Sequence, residues 1–292
     1  MSNSRTPKMV LSIQSHVVYG HVGNSAAVFA LQRLGFEVLP IHTVQFSNHT
    51  GYGSFRGQVF TVEHIHDVLQ GLKERGVLQK VDAVLSGYMG DGTIGKAIVD
   101  AVQEVRSFNP DALYLCDPVM GDVGRGVYVN PNIPEFMCKQ VVPIANIITP
   151  NHFEFEILVD SKLENVKDAI AKARALIDRT KLETVVITSL CTADIPAGQL
   201  GTLAVTKTNA WLVQTPFIEV DPSPTGTGDA LSSILLGRVL QGYAIDKALL
   251  LAASSLYALV GHLPKGSRDL PLVAEQEQIM MPAKAFDVVA VD

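Results

Sequence analysis

At 292 residues the chain is long enough for one large or two small domains, and an α/β unit of this size is ordinary. Hydrophobic residues make up 47% of it and charged residues 18%, with a mean hydropathy of +0.24, which excludes extended disorder and suits a sheet buried on both faces. With 23 basic against 29 acidic residues the net charge is -6, which argues against nucleic acid or an anionic membrane as partner, so any phosphate site has to be built locally.

Residues 1–8 hold no apolar signal-like run and read as a flexible N-terminus. From there short β-rich runs alternate with longer helical patterns. Strands are predicted at 9–13, 37–43, 83–86, 113–116, 146–148, 184–188, 202–205 and 210–214, and helices at 25–34, 63–75, 93–108, 153–158, 166–179, 228–240, 245–261 and 272–281. Alternation of this kind means βαβ units, a mostly parallel central sheet and helices on both of its faces. No Pro/Ser-rich linker or internal repeat divides the chain, so 1–292 is read as one domain. No apolar run approaches the roughly 18 residues a membrane span needs. Cys116, Cys138 and Cys191 form no CxxC pair, which points away from zinc or a disulfide framework and toward a reduced cytoplasm.

In parallel sheets ligands bind beyond the carboxyl ends of the strands, and the polar punctuation falls there: Gln14-Ser15-His16, Gly87-Tyr88, Asp117-Pro118 and Thr149-Pro150-Asn151. The segment from Val44 to Gly53 is rich in hydrogen-bonding and aromatic side chains and reads as a loop able to cover a polar ring, with Asn48, His49 and Thr50 as hydrogen-bonding groups and Phe46 and Tyr52 as walls. Asp117, held at a strand end by Pro118, and the pair Asn151 and Glu154 offer oxygen ligands for Mg²⁺. Asn151 and Glu154 also match a capping box at the start of a helix, and the two roles can coexist through bridging water. Gly121 to Gly126 lacks the spacing of a phosphate loop and reads as a mobile flap. The histidines form no metal-ligand pattern, and no G-x-S-x-G elbow supports a hydrolase.

The most informative stretch is Pro224-Thr225-Gly226-Thr227-Gly228-Asp229-Ala230-Leu231. Glycines end a proline-bearing segment where an apolar helical run begins, so backbone can approach a ligand closely and the first free N–H groups of the helix can hold an anion. Asp229, in that first turn, can take a proton from a hydroxyl beside the anion, which suits phosphoryl transfer to an alcohol. The competing reading is a turn and helix cap, with Asp229 merely favourable near the positive end of the helix.

Six blocks, in order, resemble the pyridoxal kinases of the ribokinase-like superfamily over nearly the whole chain: Ser12 to Asn24, Thr43 to Thr50, Leu85 to Tyr88, Cys116 to Gly121, Ile148 to Glu154, and Gly226-Thr227-Gly228-Asp229. The last block marks only the superfamily; the first two are far more specific. The resemblance implies a three-layer sandwich and ATP-dependent phosphorylation of the 5′-hydroxymethyl group of pyridoxal, with pyridoxine and pyridoxamine as further substrates. Asp229 would be the base, and the N–H groups of Gly226, Thr227 and Gly228 the anion hole. Ser15, Thr50 and Gly51 match positions that hold the ring, with Tyr88 beside it. Asp117, Thr149, Asn151, Glu154, Thr188 and Ser189 match the ATP and cation region, while Thr215, Pro216, Phe217 and Ile218 lie where the family passes the adenine.

The resemblance further implies Mg²⁺ with ATP as co-substrate, a monovalent cation as a further candidate, a cytoplasmic enzyme and a homodimer. Two departures limit it. The run Val185 to Ser189 lacks the lysine of some bacterial relatives, leaving Thr188 or Ser189 to hydrogen-bond ATP, and Val127 stands where certain relatives carry a cysteine in the flap. A hydroxymethylpyrimidine kinase of the same fold and a non-catalytic B6-vitamer-binding protein are the alternatives.

Overall fold

A computed structural model describes residues 7–292, so residues 1–6 of the expected flexible N-terminus lie outside the described residues. Lys8 is tied down, its Nζ donating to the carbonyl of Leu240 at 2.9 Å.

The strands are β1 (Met9–Tyr19), β2 (Glu37–Asn48), β3 (Gly57–Val59), β4 (Val81–Ser86), β5 (Leu113–Cys116), β6 (Gly121–Asp122), β7 (Gly126–Val127), β8 (Ile147–Ile148), β9 (Thr184–Leu190), β10 (Gln199–Val205), β11 (Ala210–Pro216) and β12 (Val288–Val291). Ten of them form one sheet in the order β12-β11-β10-β9-β8-β5-β4-β1-β2-β3. The pairs from β2 to β9 are parallel; β10, β11 and β12 continue antiparallel at one edge and β3 pairs antiparallel at the other.

The helices are α1 (Asn24–Arg33), α2 (Val62–Glu74), α3 (Gly92–Phe108), α4 (Ile133–Phe136), α5 (His152–Val159), α6 (Val166–Asp178), α7 (Thr227–Leu240), α8 (Ile245–Gly261) and α9 (Gln276–Met280). Side chains of a strand alternate between faces, and here both faces are dry. Val84, Tyr114, Val185 and Ile187 join the core under α2, α3, α5 and α6. Ala83, Leu85, Leu115 and Val186 join the core under α1, α7, α8 and α9. That is the expected three-layer sandwich. Surface helices follow the 3.6-residue period: α3 buries Ile94, Ala97, Ile98, Ala101, Val102 and Val105 along one stripe. By contrast α7 is buried from Ala230 to Arg238, packed against α1 and α8 as well as the sheet.

The departures from the predicted elements have physical reasons. Strands β1 and β2 run on past residues 13 and 43 because they stay paired beyond the polar break at Gln14, Ser15 and His16, His16 with Gln45 and Tyr19 with Asn48, with Val17 and Val44 still buried. β3 is three exposed residues with no apolar run, whereas β12 is a short apolar edge strand, Val288 to Val291, that the alternation of longer elements passed over. The last helix shrinks from 272–281 to Gln276–Met280, its first residues forming turns after Pro271. The glycine-rich segment is a small hairpin, β6 with β7.

Candidate active site

The carboxyl ends of β1, β4, β5, β8 and β9 open onto one cavity of about 410 Å³, closed on one side by the start of α7. Gly226 caps that helix in the left-handed conformation (φ 78), with no side chain accepting from the helix. A β-carbon there would collide with the carbonyl oxygen of His21, so only glycine fits. The N–H groups of Thr227, Gly228 and Asp229 therefore begin a helix without an intrahelical acceptor, and these residues line the cavity. This is an anion cradle with a carboxylate in its first turn.

The Asp229 carboxyl is pushed up by burial, with the N–H of Gly23 pulling partly the other way. Asp117, at the end of β5, lies well above the usual carboxylate range because it is buried and faces Glu154 and Asp229; Thr149 Oγ1 donates to its Oδ1 at 3.2 Å. Glu154 is pushed up to about 7 by burial, against the N–H groups it accepts.

The capping box is real. Glu154 N donates to Asn151 Oδ1 and Asn151 N to Glu154 Oε2, both at 2.9 Å. Glu154 Oε1 also accepts from Met120 N at 2.8 Å, and Asn151 Nδ2 donates to the Gly121 carbonyl at 2.8 Å. Both side chains thus pin the start of α5 to the root of the β6–β7 hairpin. Among the described residues no group of three or more His, Cys, Asp or Glu is arranged to hold a metal.

On the opposite side the cavity is walled by Ser15, Val17, Val44, Phe46, His49, Thr50, Gly51 and Tyr88. Ser15 sits against Gly23, where a β-carbon would strike its carbonyl and hydroxyl oxygens. Thr43 Oγ1 donates to the Tyr88 carbonyl at 2.8 Å and fixes that turn, and burial pushes the Tyr88 phenol up. Thr188 and Ser189 line the remaining end, with Ser189 in the left-handed region (φ 50), a strained backbone for a residue with a side chain.

Of the predicted site residues, Thr215, Pro216, Phe217 and Ile218 are the ones outside this cavity; they follow or end β11, and Phe217 is 57% exposed. Sequence reasoning missed Gly23, Asp122, Arg125, Tyr128 and Thr225 as site residues. Thr225 was legible as the residue before Gly226; the others depend on the fold of the hairpin and of the turn after β1, which no local pattern announces.

A three-layer sandwich with an anion cradle and a buried carboxylate at its mouth is the framework of a ribokinase-like kinase. The family described as phosphomethylpyrimidine kinase matches residues 59–269. The pyridoxal kinase PdxY of Deinococcus radiodurans is 50% identical over 284 residues, covering 96% of this chain and 95% of that protein. The one from Rubrobacter xylanophilus is 48% identical over 281 residues, covering 96% of both. Among solved structures, the pyridoxal kinase of Leishmania donovani in complex with ADP and pyridoxamine superposes with a TM-score of 0.89 at 31% identity, covering 98% of this chain and 100% of that one. The chain belongs to the phosphomethylpyrimidine kinase family and, by these full-length likenesses, to the pyridoxal kinases within it.

Proposed function

We propose that this chain transfers the γ-phosphoryl group of ATP to the 5′-hydroxymethyl group of pyridoxal, and to the same group of pyridoxine and pyridoxamine. The observation that carries the reading is Asp229: a half-buried carboxylate in the first turn of a helix whose free N–H groups face the same cavity. Its raised pKa moves it toward the strength a general base needs. The acceptor hydroxyl gives its proton to Asp229, its oxygen bonds to the γ-phosphorus, and the bond from that phosphorus to the β-phosphate oxygen breaks to release ADP. The N–H groups of Gly226, Thr227 and Gly228 hold the charge on the transferring oxygens, since phosphoryl transfer is mainly positioning and electrostatic stabilisation.

Ser15, Thr50 and Gly51 orient the ring beside Tyr88, while Thr149, Thr188 and Ser189 bind the phosphates and Thr215, Pro216, Phe217 and Ile218 pass the adenine. Crowding of Asp117, Glu154 and Asp229 fits a divalent cation, which relieves their mutual repulsion. Mg²⁺ would be held by Asp117 directly and by Asn151 and Glu154 through water, since Glu154 is occupied by backbone N–H groups, and it would supply positive charge to the phosphates. A monovalent cation is a second candidate. One ten-stranded sheet supports reading 1–292 as one kinase domain, and we assign it to the cytoplasm as a homodimer. Among the described residues no helix is long and apolar enough to cross a membrane.

The test is ATP consumption by purified protein with each of the three B6 vitamers and with hydroxymethylpyrimidine. Turnover with the vitamers supports the reading. Turnover with the pyrimidine alone supports the second reading, which the family description favours, and no turnover with any of them defeats both.

A further inference from the structure

Four residues after α8, Ser267 to Leu270, touch three of the loops that wall the cavity. Toward α7, Thr225 donates to the Arg268 carbonyl from its backbone N–H at 2.8 Å and its hydroxyl at 3.2 Å, and pairs with Asp269 as an isolated parallel bridge. Toward the ring-covering loop, the Arg268 guanidinium donates to the Gly51 carbonyl and lies 5.0 Å from the centre of the Tyr52 ring, while the Tyr52 hydroxyl donates to the Asp269 carboxylate. Toward the end of β1, the Leu270 carbonyl accepts from His21 Nδ1 at 2.8 Å, and a β-carbon on Gly20 would run into Asp269. Neither Arg268 nor Asp269 lines the cavity itself.

We infer that Arg268 and Asp269 are positioning residues: they latch the 49–52 loop to the segment that opens the anion cradle, and so set the distance between the bound ring and the transferring phosphoryl group. The inference rests on the assignment of Thr50 and Gly51 to the ring. Thr50 lies far in sequence from Thr225, and without a bridge nothing local fixes one against the other. Thr225 is next to the left-handed Gly226, and Gly51 is gripped by its own carbonyl, so both ends of the bridge are main chain immediately beside the reacting groups. Displacement of a reacting group by about 1 Å costs on the order of 100-fold in rate. Partial burial and the Asp269 carboxylate push the Tyr52 phenol up to about 12, which keeps it a donor at neutral pH.

Arg268→Ala, Asp269→Asn and Tyr52→Phe, made singly and as the Tyr52/Asp269 pair in the full chain, test the latch by two readouts. The first is hydrogen exchange at the amides of residues 49–53, which should be faster in Arg268→Ala than in the wild type while the exchange of α3 and α6 stays unchanged. The second is kinetic: kcat/KM for pyridoxal should fall about 10- to 100-fold, KM for ATP should stay within about twofold, and the Tyr52/Asp269 double variant should be no worse than its poorer single, because both break one contact. Unchanged exchange at 49–53 overturns the latch. A KM for ATP that rises as much as KM for pyridoxal, together with a lower melting temperature, also overturns it, by showing a merely structural role. Wild-type protein inactive on every vitamer would defeat the functional reading instead, and the exchange measurement would still decide the latch.

Discussion

The carboxylate of Asp117 reaches across the strand ends to Gly228: a β-carbon on that glycine would stand 3.2 Å from Asp117 Oδ2. A carboxyl thus sits against the cradle proposed for a phosphate. On the proposed reading a cation between them would let the ionised carboxylate and the phosphate coexist, so that an acidic protein could bind a nucleotide at this end of the sheet. Glycine at 228 leaves the room, and the buried setting of Asp117 makes the carboxylate the more receptive to a cation.

The pH dependence of stability should report this crowding. Glu154 titrates at about 7 in the folded protein against an ordinary value of 4.5, burial being the main cause. A raised folded pKa gives stability that is complete below the unfolded value and is lost as pH rises through the folded one. The melting temperature of the ligand-free protein is therefore expected to fall from about pH 5 to about pH 8, and MgATP should raise it more at the alkaline end. Glu154→Gln should flatten the slope and lower the melting temperature, because its amide cannot accept all the N–H groups the carboxylate does. Burial lowers His42 to about 4 and also lowers His16 and His49, which tilts stability the other way, so the test is the difference between the two proteins: melts with parallel slopes across that range would contradict the account.

The ring side is tested at Thr50. It is exposed in the absence of ligand, so Thr50→Val should leave the fold unchanged. With pyridoxal bound, a polar group of the ring would lose its partner, at a cost on the order of 1–3 kcal/mol. Steady-state kinetics should show KM rising for pyridoxal much more than for ATP, and the opposite order would remove Thr50 from the site.

Phe217 separates the two ends of the nucleotide. The exposed side chain contributes little to stability, so Phe217→Ser should change it by no more than about 0.5 kcal/mol. If residues 215–218 pass the adenine, KM for ATP should rise several-fold while KM for pyridoxal stays put. Equal ATP affinity in the variant would move the adenine elsewhere.

Gly226→Ala should harm both fold and chemistry. Alanine in the left-handed region costs about 1–2 kcal/mol, and its β-carbon would meet the His21 carbonyl. The melting temperature and kcat should fall together. A variant with normal kcat would show that the cradle does not depend on this turn.

Much of this was legible in the sequence because fold and site share one signal. Apolar runs that stop at polar punctuation located the ends of β5 and β8, where Asp117 and Thr149 meet, while Ser15 reaches the same cavity from an irregularity within β1. Asn151 and Glu154 were legible as a cap because a capping box is local chemistry, complete within four residues. What local pattern could not disclose were contacts made by folding alone: Gly23 against Asp229, Glu154 holding the amides of Met120 and Gly121, and Arg268 reaching Gly51. The far ends of β1 and β2 were missed for a related reason, since pairing resumes there after the polar break and the bulge at Ser15.

The central claim is that Asp229 is the base, and Asp229→Asn tests it most directly. Asparagine keeps the shape and serves a helix N-terminus about as well, so the fold, the melting temperature and the binding of ATP and pyridoxal should survive. Asparagine cannot take the proton, so kcat should fall by roughly 10²–10⁴-fold. The acid limb of the wild-type pH–rate profile, expected above the ordinary aspartate range because burial raises this carboxyl, should vanish from the residual activity. A folded Asp229→Asn protein with near-normal kcat would contradict the account.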